Sequence, residues 1–297
     1  QLVKPEYTRS RLAAFAADGT VSSWNPNVTG GDVTEMAIDE ADNLLYIAGT
    51  FTAVGGQTRN RLAAIDLDTG SPTSWDPNVN GTINTLVLDA ANDVVYIGGA
   101  FTTVNGATTR NRLAAISTTG TGTATAWDPV TGGSSPTVSV LVQSGTTIYV
   151  GGSFTCVGGD GDSTCGEAGE STRNRIAAFS TSGAGAVTTW NPSATSGTVS
   201  TMALDGTTLY VGGTFTNIGG SARNRLAALS TTSDTNNATA WNPGSTAEPA
   251  AIALDTVQDY LYAGFSTTGV TVGGATQTTN GLFQVDLTIN TSNATAW

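Results

Sequence analysis

Tryptophan recurs in this chain at Trp24, Trp75, Trp127, Trp190, Trp241 and Trp297, and the first five each open a Trp-Asn-Pro or Trp-Asp-Pro tripeptide. An arginine pair runs ahead of each of those five: Arg9/Arg11, Arg59/Arg61, Arg110/Arg112, Arg173/Arg175 and Arg223/Arg225. No Arg lies outside these pairs. A period of about 50 residues marks a repeat architecture, in which each unit buries its apolar face against its neighbours.

Each unit reads as four short runs. The first alternates, as in Val33-Thr34-Glu35-Met36-Ala37-Ile38-Asp39, and recurs at Ile83, Val138, Val199 and Ala250, ending in Asp in every copy but the one from Val138 to Val142. The second carries a Tyr and a small-residue pair: Tyr46-Ile47-Ala48-Gly49, Tyr96-Ile97-Gly98-Gly99, Tyr149-Val150-Gly151-Gly152, Tyr210-Val211-Gly212-Gly213, and a faded copy at Tyr262-Ala263-Gly264. The third is Arg61-Leu62-Ala63-Ala64-Ile65 and its copies; the fourth is the stretch leading into Trp. Short runs rich in β-branched and aromatic residues, bounded by Gly, Asn, Asp and Ser, are strands joined by turns. No run has the length and 3.6 period of a helix.

Four strands per unit predict an all-β chain, a β-propeller of five to six four-stranded blades. We expect one domain over 1–297: a half-blade at 9–24, then repeats at about 27–75, 78–127, 130–190, 193–241 and 244–297. Small residues after each Tyr suit crowded inner strands, and Phe51, Phe101, Phe154, Phe215 and Phe265 are placed to pack between blades. The hairpins do not balance. The Arg-to-Trp hairpin occurs six times, the last degenerate from Thr279 to Trp297, whereas the Asp-to-Tyr hairpin occurs five times. Hairpin 9–24 therefore lacks a partner. The ring has five blades with this hairpin capping elsewhere, or the chain is part of a longer array, or the hairpin completes a blade in a neighbouring molecule.

The string Tyr-Val-Gly-Gly-Thr-Phe-Thr (210–216), followed by Gly-Gly (219–220), Arg-Asn-Arg-Leu-Ala-Ala (223–228) and Trp-Asn-Pro (241–243), resembles the delta-60-type β-propeller repeats of large secreted bacterial and archaeal surface proteins, and more distantly kelch-like blades. The resemblance spans nearly the whole chain. It implies an extracellular propeller, often one module of a larger surface protein, and implies no catalytic activity.

Charge narrows the partners. With 11 basic against 23 acidic residues, the formal charge is −12 and the pI near 4.1, which repels nucleic acid and anionic membrane. No run of 18 apolar residues offers a membrane span. The chain begins at Gln1, so we expect either a removed leader or a piece of a longer protein.

Each candidate site has a structural alternative. Arg59/Arg61, Arg110/Arg112, Arg173/Arg175 and Arg223/Arg225 could form a ring that binds anions or acidic glycans; we expect instead that they pair with Asp39, Asp89, Asp205 and Asp255 or with turn carbonyls. Trp24, Trp75, Trp127, Trp190 and Trp241 could stack on sugars; we expect each to pack at the same place in its blade. Cys156 and Cys165 lie in the one long insertion, and we expect a disulfide, with free thiols as the alternative. Two Cys and no His disfavour zinc. The insertion at 158–167 is acidic and oxygen-rich, as calcium prefers, but its spacing matches no complete calcium loop; a solvated loop is expected, calcium being the alternative. The Gly pairs after Val54, Val157, Ile218 and Val272 lack the helix and Lys of a phosphate cradle. Asn27, Asn80, Asn237, Asn290 and Asn293 are glycosylation sequons.

Without His there is no His-based triad, and no unrepeated carboxylate pair stands out. The expectation is a non-enzymatic, cofactor-free extracellular structural or adhesive module that assembles with itself, or with other domains of a longer surface protein, through its unpaired hairpin. A carbohydrate-binding propeller is the alternative, and a glycoside hydrolase the third.

Overall fold

A computed structural model describes residues 8–162, 164–277, 281–291 and 294–296. Packing divides the chain into two compact units, Gln1–Asp128 and Pro129–Trp297.

In the first unit, β1 (Val33–Asp39), β2 (Leu44–Gly49) and β3 (Leu62–Asp66) form one antiparallel sheet, and β4 (Ile83–Asp89), β5 (Val94–Gly99) and β6 (Leu113–Ser117) form the next. The second unit repeats the pattern with β7 (Val138–Ser144), β8 (Thr147–Gly152) and β9 (Ile176–Ser180), then β10 (Val199–Asp205), β11 (Thr208–Gly213) and β12 (Leu226–Ser230). Its last sheet comprises β13 (Ala251–Asp255), β14 (Tyr260–Gly264), β15 (Leu282–Asp286) and β16 (Ala294–Ala296).

The middle strand of each of the first four sheets is buried on both faces, which explains its unbroken apolar run. In β2, Leu45 and Ile47 pack on the hairpin side with Leu12 and Val28, while Tyr46 and Ala48 pack towards the following sheet with Ile83, Leu86 and Ile97. The second unit repeats this: Tyr149 packs against Val199, Met202 and Val211, and Tyr210 against Leu261 and Ala263. The five Phe residues after the Tyr strands are all buried in these layers.

Close backbone approach explains the glycines that end the Tyr strands. The first strands of the first four sheets carry a bulge, between Val33 and Glu35 in β1 and at the matching places in β4, β7 and β10. The bulge brings a neighbouring carbonyl onto the terminal Gly: a Cβ on Gly49 would lie 2.0 Å from the Asp32 oxygen, and one on Gly99 2.1 Å from that of Thr82. Only Gly fits.

The fourth run is shorter than a strand in the first four sheets. It contributes a single bridge, Ile65↔Pro72, Ile116↔Ala124, Phe179↔Val187 and Leu229↔Ala238, and among the described residues only the last sheet extends it into a strand, β16. The chain leaves the edge so early because the residues just beyond the bridge are held by an Arg and a Trp that turn away from the sheet.

Candidate functional site

The Arg and Trp motifs build one joint. The first Arg of each pair clamps two carbonyls. Arg173 donates to Thr172 O at 3.0 Å and Thr188 O at 2.7 Å; Arg110 donates to Thr109 O at 2.7 Å and Thr125 O at 2.6 Å. Arg59 and Arg223 reach Thr73 O and Thr239 O in the same way, and Arg9 reaches Ser22 O. The residue so clamped stands two places before Trp, and its hydroxyl accepts the Trp backbone N–H, as Thr73 does for Trp75 at 3.2 Å and Ser22 for Trp24 at 3.1 Å. Sequence reasoning passed over these Ser/Thr positions, though a hydroxyl residue at that offset in five repeats was a usable signal.

The second Arg departs from the strand expected for it. Arg11, Arg61, Arg112, Arg175 and Arg225 are all left-handed, with φ between 63° and 69°. The two members of a pair therefore do not point along one strand face. Backbone bonds compensate: Arg61 N donates to Phe51 O at 3.0 Å while Gly49 N donates to Arg61 O at 3.0 Å, and Arg112, Arg175 and Arg225 repeat both bonds. Their side chains reach loop carbonyls, Arg175 Nε to Gly197 O at 2.9 Å and Arg225 to Ser245 O at 3.0 Å. The carboxylate partners of the first Arg also differ from those expected. Arg110 pairs with Asp128 at 3.2 Å and Arg59 with Asp76 at 3.8 Å, both from Trp-Asp-Pro. Asp39 and Asp255 instead accept backbone N–H groups of their own turns, and Asp89 accepts from Asn92.

Trp completes the joint. Trp75, Trp127, Trp190 and Trp241 are buried, each with the Tyr of its own repeat edge-on at 5.0 to 5.3 Å: Tyr46, Tyr96, Tyr149 and Tyr210. The indole N–H crosses to the next sheet, from Trp75 to Ser117 O at 2.8 Å, Trp190 to Ser230 O at 2.9 Å and Trp241 to Asp286 O at 3.1 Å. Burial pushes the Tyr46 phenol up to about 12, reinforced by the charges of Asp39 and Asp42. Burial also raises Tyr149 and Tyr210.

Trp24 occupies the same position without a Tyr. Its indole donates to Asp66 O at 3.3 Å, yet among the described residues no ring pairs with it, and it is half-buried. Around it lies an apolar groove of about 320 Å³ lined by Leu12, Ala14, Trp24, Met36, Ile38 and Leu45. The repeat shows what is missing. Met36 is 52% exposed, whereas Leu86, Leu141 and Met202, at the same place in later blades, are 5 to 7% exposed. Ile38 is 58% exposed. At Leu86 and Met202 the preceding sheet, with Tyr46 and Tyr149, covers the position. Among the described residues, what precedes Met36 and Ile38 is the outer hairpin 9–24, held by the bridge Phe15↔Val21. Phe15 is 66% exposed, although Ile65, Ile116, Phe179 and Leu229 at its position are fully buried.

The remaining candidates lie apart from this groove. Cys156 and Cys165 form a disulfide. In the insertion, Asp162 accepts Thr164 N–H at 2.6 Å and Glu170 accepts the N–H groups of Gly166 and Glu167, so these carboxylates serve the loop backbone. Among the described residues no cluster of three or more His, Cys, Asp or Glu side chains could hold a metal ion. Asn27, Asn80 and Asn290 are exposed, but Asn80 is tied to Thr102 and Thr103. Asn237 is buried with its amide donating to Ser233 O, so the folded chain offers no glycan acceptor there. Asn293 lies outside the described residues, as does Trp297. Among the described residues no helix is long and apolar enough to cross a membrane.

A family described as "Domain of unknown function (DUF5122) beta-propeller" matches residues 40–68 and 205–232. The two matches cover the same part of two repeats, from the turn after the first strand through the third strand. Among solved structures, the chain is similar to one titled "Crystal Structure of Mitotic Checkpoint Complex", at 11% identity and a TM-score of 0.54, over 95% of this chain and 69% of that one. It also matches the crystal structure of the computationally designed Ika8 protein, at 11% identity and a TM-score of 0.47, over 91% of this chain and 87% of that one. No curated protein matches the sequence. The family description, the strand pattern and the first of these structures establish a β-propeller fold.

Proposed function

We propose that this chain is a non-enzymatic structural propeller of the extracellular surface, which assembles with itself through its uncompleted first blade. One observation carries the reading: Trp24, Met36 and Ile38 hold places that are covered in later repeats, yet they line an open groove. Burying the exposed half of Met36 and of Ile38 is worth about 1 kcal/mol each, so an aqueous surface favours covering them. The disulfide suits an oxidising compartment. The Arg and Trp that could have formed an anion or sugar site are occupied in joints between sheets, which favours structure over ligand binding. Electron microscopy of the purified protein tests the proposal. Regular filaments or surface arrays are expected, and isolated rings at all concentrations would overturn it.

A further inference from the structure

The groove carries the chemistry of its occupant, because the chain contains the same joint in completed form. Each completed joint has a Tyr edge-on to Trp, and a strand of the Tyr-Ile-Ala-Gly type hydrogen-bonded along the Leu-Ala-Ala-Ile edge. In the first blade that register is Tyr46↔Ala64 and Ile47↔Ala63. The edge Leu12-Ala13-Ala14-Phe15 is the same string, and its Arg11 has the left-handed φ of Arg61, Arg112, Arg175 and Arg225. Among the described residues no Tyr strand is paired with it.

At the other end of the chain, a Tyr hairpin is paired with a poor copy of that edge. Strand β14 runs along Leu282-Phe283-Gln284-Val285, in the register Tyr262↔Gln284 and Ala263↔Phe283. Gln284 stands where Ala64, Ala115, Ala178 and Ala228 are 0 to 1% exposed, and Gly281 stands where the left-handed Arg belongs. Gln284 is itself only part-buried, so the joint over β15 is covered less closely than the Ala-lined joints of the other sheets.

We propose that a second copy of this chain fills the groove by hairpin exchange. Its β13–β14 hairpin leaves its own β15 and pairs with Leu12–Phe15 of the neighbour, bringing Tyr262 onto Trp24 and covering Met36 and Ile38. The inference rests on the self-assembly reading and names the element that performs it. Exchange replaces the pairing with β15 by the same pairing along the Leu-Ala-Ala string of the neighbour, uncovering Phe283 and Val285 of β15 and covering Trp24, Met36 and Ile38. The contact is head-to-tail, since each copy gives a hairpin at one end and receives one at the other. Repetition builds a filament unless the rotation closes.

By the register of β2 and β3, Ala263 of the donor falls opposite Ala13 of the acceptor. Two chains carrying Ala13→Cys and Ala263→Cys separately are mixed, with the native disulfide intact, and oxidised. The expected result is a covalent dimer from the mixture that neither chain gives alone, with Trp24→Ala in the acceptor lowering its yield about ten-fold. Met36→Asp, at an exposed position, is a second variant that keeps the fold and is expected to lose the dimer. If the protein assembles by mass but the mixture gives no dimer, the exchange is wrong and the self-assembly reading stands. If only a doubly substituted chain cross-links, and does so within itself at monomer mass, both are overturned.

Discussion

Trp75 and Trp24 share one motif in two environments. Trp75 is buried, rests against Tyr46 and donates to Ser117 O; Trp24 is half-buried beside an open groove. In a monomer, Trp75→Ala should cost about 3–5 kcal/mol in denaturant unfolding and Trp24→Ala about 1 kcal/mol. Equal costs would mean that the groove is closed in solution. The phenols yield a pH prediction. Tyr46 titrates at about 12 in the fold, and an unfolded Tyr at about 10. The native state thus keeps protons that the unfolded state releases, so this contribution is whole below pH 10 and declines as pH rises towards 12. Tyr46→Phe should flatten that decline, read as midpoint against pH. The positions of Arg and Trp were legible in the sequence because they recur. The left-handed φ of Arg61 was not, because side-chain identity says nothing of a backbone fixed by bonds to Phe51 and Gly49. Arg61→Gly relieves a left-handed residue of about 1–2 kcal/mol at the cost of the side-chain contacts, and we expect a stability change within about 1 kcal/mol. Arg59→Ala removes a charged clamp on two carbonyls and should cost about 2–4 kcal/mol.

At the scale of elements, strand grammar located three of the four runs well, since Tyr strands with two buried faces and alternating first strands are written in apolar pattern. The fourth run, expected as a strand, forms a single bridge in each of the first four sheets. The signal there was composition alone; Thr73 N–H still donates to Ala64 O at 2.9 Å, but its carbonyl, which would continue the ladder, is held by Arg59, 14 residues away. The insertion behaves as a local loop: the Cys156–Cys165 bridge closes a separation of 9 residues, and Asp162 and Glu170 bond within the same loop. Reduction should therefore cost about 2–3 kcal/mol, with hydrogen exchange quickening in 156–172 and little elsewhere. Exchange quickening across all sheets would show that the bridge supports the whole fold.

At the scale of the molecule, the count of hairpins already pointed to an unpaired half-blade at 9–24; which side chains it leaves bare required the structure. Phe15, Met36 and Ile38 look like ordinary core residues in sequence, and only comparison with Ile65, Leu86 and Leu88 in place reveals that their cover is absent. A formal charge of −12 on each copy opposes association, so raising salt from low ionic strength should strengthen assembly. The most direct measurement is mass by light scattering across a concentration series, for the native chain and for Met36→Asp. The account predicts a mass that grows with concentration for the native chain and a constant monomer mass for the variant, with the two unfolding at similar denaturant concentrations. A native chain that stays at monomer mass throughout would contradict it.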